Sequence, residues 1–178
     1  AINNTALWNT SDPASWNSVA GQGIFRSGDS GVTWTRVAGP GMNANNQIGA
    51  DTTDLDYTYG FDAAGDLALT LFAGAWTKAS PPLPDPASTG VYRSTDWGDT
   101  WTALRGGNIP LGDIGRVQLW SNKSIGVQTI YMALPNESNG ILRGVYKTTD
   151  NGANWTQLGA ANMPGLNTQS GSTYALGV

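Results

Sequence analysis

The feature that most constrains this chain is a turn that occurs three times. Its copies are Ser27-Gly-Asp29-Ser-Gly31-Val-Thr33-Trp34, Ser94-Thr-Asp96-Trp-Gly98-Asp-Thr100-Trp101 and Thr148-Thr-Asp150-Asn-Gly152-Ala-Asn154-Trp155. A short strand-like run precedes each copy: Gly23-Ile-Phe-Arg26, Gly90-Val-Tyr-Arg93 and Gly144-Val-Tyr-Lys147. Thr-x-Val or Thr-x-Leu follows each, so every copy reads as a strand, a tight turn and a strand. Repeated units of short strands cannot cover their apolar faces alone and must stack on their neighbours.

The turn has a physical rationale at each fixed position. An Asp side chain accepts hydrogen bonds from backbone amides further along and fixes an Asx-type turn. Gly two positions on supplies a positive φ. The Trp is expected to turn inward between stacked sheets, with its indole N–H available to a carbonyl. Asp29, Asp96 and Asp150 therefore read as structural acids rather than catalytic ones, because active-site acids are rarely triplicated. Arg26, Arg93 and Lys147 hold equivalent places in the three units, which points to a repeated structural role for them also.

Between the turns lie segments with strand character: Asp66–Thr77, the most apolar run, Ile114–Trp120 and Thr129–Leu134. Ala6–Trp8 reads as a further short strand, and Thr173–Val178 as a copy of 129–134 that could pair with a neighbour. Ser80–Pro86 is a stiff proline-rich loop. No helical periodicity is visible. The expected class is all-β, about three four-stranded antiparallel units at 1–50, 51–113 and 114–165, with 166–178 starting another.

Composition narrows the chemistry. The 178 residues carry 9 Lys and Arg against 13 Asp and Glu, with no basic run for nucleic acid. No apolar stretch is long enough to span a bilayer as a helix. There is no Cys and no His, so thiol chemistry, disulfides and imidazole proton transfer are unavailable to these residues. Acid–base work would fall to carboxylates or tyrosines.

The motif Ser/Thr-x-Asp-x-Gly-x-Thr-Trp resembles the Asp-box, or bacterial neuraminidase repeat. This marks β-propeller blades in sialidases, xyloglucanases built from two propellers, sortilin-type receptors and photosystem II assembly propellers. The runs at 90–96 and 144–150, with 114–119 and 129–134, are most similar to the xyloglucanase and sortilin branch. The resemblance implies that Asp29, Gly31, Trp34, Asp96, Gly98, Trp101, Asp150, Gly152 and Trp155 are scaffold residues on rim hairpins. It also implies an extracellular or cell-surface protein. The three carboxylate-gripping arginines of a sialidase and the paired catalytic motifs of a xyloglucanase find no match.

Three blades cannot close a propeller, which needs four to eight. The chain is therefore expected to be a segment of a larger propeller, or to assemble with copies of itself or with another chain. Three functions remain open: a non-catalytic module for binding or assembly, with a glycan as ligand; a segment of a glycoside hydrolase; and an assembly-factor propeller. Asp51, Asp54 and Asp56, with Asp62, form an acidic stretch that reads as a solvated loop. Its alternatives are a calcium site over 51–62 or, if the stretch replaces an inner strand, channel-facing carboxylates for glycoside hydrolysis. Trp97, at the variable place of the second turn, and Trp76, just before the proline loop, are the candidate sugar contacts.

Overall fold

A computed structural model describes residues 23–39, 42, 45, 46, 48, 51–76, 89–110, 112–136 and 138–158. The segments expected to be strands at 6–8 and 173–178, and the proline-rich loop, lie outside the described residues. Within them the chain is all-β and contains no helix.

Ten strands form three antiparallel sheets. The first is a hairpin of β1 (Ile24–Arg26) and β2 (Thr35–Ala38). The second is a four-stranded meander of β3 (Asp51–Phe61), β4 (Leu67–Trp76), β5 (Gly90–Ser94) and β6 (Thr102–Leu104). The third repeats that order with β7 (Gln118–Ser121), β8 (Ile130–Pro135), β9 (Leu142–Thr148) and β10 (Thr156–Leu158). In both complete sheets the repeated turn joins the third strand to the fourth. These sheets are compatible with propeller blades, and the described residues do not close a ring.

The acidic stretch is not a loop. Asp51–Phe61 is an 11-residue strand paired with β4 along its whole length, interrupted by a bulge between Thr52 and Asp54. Its Thr and Tyr content favours the pleated conformation, and its aspartates alone suggested otherwise. The segment expected to be a strand over 114–120 is extended only from Gln118, because Ile114–Val117 carry no ladder partner.

Alternation along the strands sends side chains to two separate cores. In β4, Phe72 faces the third sheet, where it meets Val91, Val117, Leu119, Ile130, Met132 and Trp155. Its neighbours Ala73 and Ala75 face the hairpin and pack with Ile24, Val37, Ile48, Tyr92 and Trp101. A Cβ at Gly74 would lie 3.0 Å from both the Thr53 hydroxyl and the Val117 carbonyl, so glycine there permits close approach of the third sheet.

The inner strands β3 and β7 run side by side in the same direction without a backbone ladder. Side chains make the links. Thr53 Oγ1 donates to the Val117 carbonyl (2.6 Å), the Leu119 amide donates to Asp54 Oδ2 (2.7 Å), and Ser121 Oγ donates to the Tyr57 carbonyl (2.6 Å).

Candidate functional site

The three turns are alike almost atom for atom. In the first, Thr33 donates its amide to Asp29 Oδ1 (2.8 Å) and its hydroxyl to Oδ2 (2.6 Å). Ser27 Oγ donates to Asp29 Oδ1 (2.8 Å) and accepts the Gly31 amide (2.7 Å). The indole N–H of Trp34 donates to the Gly31 carbonyl at 3.0 Å. The second turn repeats every one of these bonds through Ser94, Asp96, Gly98, Thr100 and Trp101. The third does so through Thr148, Asp150, Gly152, Asn154 and Trp155, with an amide in place of a hydroxyl at 154.

The carboxylates are consequently held ionised. Hydrogen bonds from Thr33, and then from Ser27, lower the Asp29 pKa from 3.8 to about 2. Asn154 through its backbone and side chain, and then Thr148, lower Asp150 likewise to about 2. At Asp96 burial pushes upward, but the bonds from Thr100 and Ser94 outweigh it and the net shift is downward. A general acid at neutral pH needs the opposite shift.

Backbone geometry adds a feature that the turn formula omits. The residue before each Gly is also left-handed, with φ of 58° at Ser30, 62° at Trp97 and 57° at Asn151. Asparagine adopts this region more readily than most residues, and a bulky aromatic does so at a cost. Asn151 was the available clue in the sequence.

Asp54, Asp56 and Asp62 are likewise engaged. Asp54 accepts the Leu55 amide at Oδ1 (2.8 Å) and the Leu119 amide at Oδ2. Asp56 Oδ1 accepts the Tyr57 amide (2.8 Å) and the Lys123 ammonium, whose Nζ lies 3.7 Å from the Tyr57 ring centroid. Asp62 caps its own hairpin by accepting the Ala64 and Asp66 amides, both at 2.9 Å. Asp51 starts β3. No cluster of three or more acids able to hold a metal occurs among the described residues. The calcium reading of 51–62 as an oxygen-rich loop thus meets a strand with its Asp54 and Asp56 carboxylates turned to neighbouring amides and a lysine.

The two tryptophans proposed for sugar contact differ. Trp76 is buried, with the Arg116 guanidinium 4.8 Å from its ring centroid, and offers no open face. Trp97 is 62% exposed at the tip of the second turn. Beside its backbone, Arg26 bridges the Trp97 carbonyl (2.9 Å) and the Asp99 carboxylate (2.7 Å).

A xyloglucanase is similar to part of this chain. The protein, from Paenibacillus sp., is 34% identical over 97 residues, which cover 49% of this chain and 8% of the xyloglucanase. The chain therefore matches a small fraction of that enzyme's length. No family model matches the chain. The likeness and the all-β sheets are compatible with a β-propeller-like family related to glycoside hydrolases.

Proposed function

We propose that this segment is a non-catalytic propeller module that acts outside the cell by binding a glycan. The observation that carries the non-catalytic reading is the engagement of the carboxylates. Glycoside hydrolysis needs two carboxyls facing an open cleft, one of them with a raised pKa. Here Asp29, Asp96 and Asp150 are lowered and tied into turns, and Asp54 and Asp56 hold backbone amides or a lysine. The glycan reading rests on Trp97, a large apolar face held outward in a conformation that bulky residues avoid.

The similar xyloglucanase suggests a β-glucan with xylose branches as the first ligand to try. Affinity electrophoresis in xyloglucan gels should retard the protein. Trp97→Ala should weaken retention about tenfold, the scale of one lost aromatic contact. Equal retention of the two proteins removes Trp97 from the site.

A second reading, a segment of a glycoside hydrolase, is favoured by the 97-residue likeness. It predicts release of reducing ends from xyloglucan by this chain, whereas the module reading predicts none above a protein-free control.

A further inference from the structure

The β3–β4, β5–β6 and β7–β8 turns lie at one end of the two complete sheets, because both sheets are meanders and β3 and β7 run in the same direction. This end carries an apolar patch besides Trp97. Phe61 is 58% exposed, its cross-strand partner Leu67 55% and Ile125 61%, and Val127 is also exposed. The β7–β8 turn is fixed against the tip of β3, for the Gly126 amide donates to the Tyr59 carbonyl at 3.0 Å. A Cβ at Gly126 would lie 3.8 Å from the Phe61 ring, so the turn carrying Ile125 and Val127 borders that ring.

Hydrogen-bonding groups without partners surround the patch. Asp62 gives Oδ1 to the Ala64 and Asp66 amides, and among the described residues nothing donates to its Oδ2 or to the exposed Asp66 carboxylate. The Gln128 side-chain amide lies against Gly60, next to Phe61. An exposed aromatic face bordered by carboxylates and an amide matches a sugar ring, which offers C–H faces and hydroxyls together. Other occupants fit worse. Insertion into a lipid surface would desolvate the two carboxylates that stand between Phe61 and Leu67. Symmetric pairing with a second copy would bring the same acids of both chains together.

The patch is also within reach of Trp97. A Cβ at Gly98 would lie 3.7 Å from Leu71 Cδ1, which places the Trp97 turn beside Leu71. Leu67 lies on the same face of β4, about 13 Å further along, with the partly exposed Leu69 and Tyr59 between. We infer that this end of the two sheets binds one polysaccharide chain at two contacts, Trp97 and Phe61, with the Asp62 and Asp66 carboxylates accepting sugar hydroxyls beside Phe61. This rests on the glycan reading of Trp97 and requires a ligand long enough to reach both rings.

Affinity electrophoresis of the full chain in xyloglucan gels tests it. Phe61→Ala should weaken retention about fivefold with unchanged far-ultraviolet circular dichroism. Phe61→Tyr, which keeps the ring, should be retained as the parent is, and Phe61→Leu should behave as Phe61→Ala does. Affinity for xyloglucan oligosaccharides, read by titration calorimetry, should rise with chain length, and Phe61→Ala should lose that rise. Retention of Phe61→Ala or Phe61→Leu equal to the parent's, with Trp97→Ala weakened, overturns the second contact and leaves the glycan reading of Trp97 standing. An unretarded parent overturns both. Sedimentation that shows parent dimers and Phe61→Ala monomers assigns the patch to contact between copies and overturns the sugar contact. Should Phe61→Ala fail to fold, the comparison of Phe61→Leu with Phe61→Tyr decides.

Discussion

Trp34, Trp101 and Trp155 occupy one position of one turn and have different surroundings. All three indoles donate to the carbonyl of the turn glycine, so the local fold is complete in each copy. What differs is the cover: the preceding sheets cover the second and third, and no sheet precedes the first among the described residues. The turn acids follow the same logic of local completeness. Their folded pKa values lie below the ordinary value of 3.8, near 2 for Asp29 and Asp150. A depressed carboxylate stabilises the fold fully above its unfolded pKa and loses that contribution as pH falls through its folded pKa. Stability to urea should therefore be constant from about pH 5 to 6 and decline between about pH 4 and 2. Carbon-detected carboxyl titrations should place Asp29 and Asp150 near the bottom of that window. Midpoints close to 3.8 would mean that the turn bonds do not persist in solution. The turn geometry was legible in the sequence because Asp, Gly and Trp each do their work within eight residues. The exposure of Trp34 was not, because it depends on what a different sheet supplies. The left-handed Trp97 was not either, since its residue type argues against the conformation that the turn imposes.

At the scale of elements, β3 separates local from tertiary information. Its aspartates suggested a solvated loop or an ion site, yet the strand is central to the joint between the complete sheets. Asp54 explains the difference, for its carboxylate accepts the amide of Leu119 on the edge of β7 that faces β3, where no backbone ladder exists. Leu119 is buried, so removing that acceptor leaves an unpaired amide away from water. Asp54→Ala should cost about 1–3 kcal/mol in urea unfolding. Asp54→Asn, which keeps an oxygen acceptor, should cost less. Equal stability of Asp54→Ala and the parent would remove Asp54 from the joint. By contrast, β4 could be read directly as a strand with a buried end, because its sequence is mostly apolar and both of its faces are covered from Phe72 to Trp76. The burial of Trp76 escaped the same reading. A tryptophan at a strand end looks exposed until Arg116, 40 residues away, is placed over its ring.

For the whole molecule, the repeated turn is a joint between sheets as well as a cap within one. The second and third turns each present a carbonyl and an amide to the preceding unit, and the strands before the first and second turns each send an arginine to the turn that follows. The proposed non-catalytic reading rests on the same arrangement, in which Asp29, Asp54, Asp96 and Asp150 are committed to joints and turns. The most direct test is amide hydrogen exchange at the three turn tryptophans, read by nuclear magnetic resonance. The amides of Trp101 and Trp155 should exchange slowly, because the carbonyls of Asn45 and Gly107, in the loops after β2 and β6, hold them at 2.7 and 2.6 Å, and the amide of Trp34 should exchange rapidly. Equal exchange at all three positions would contradict the assignment of the turn as an inter-sheet joint.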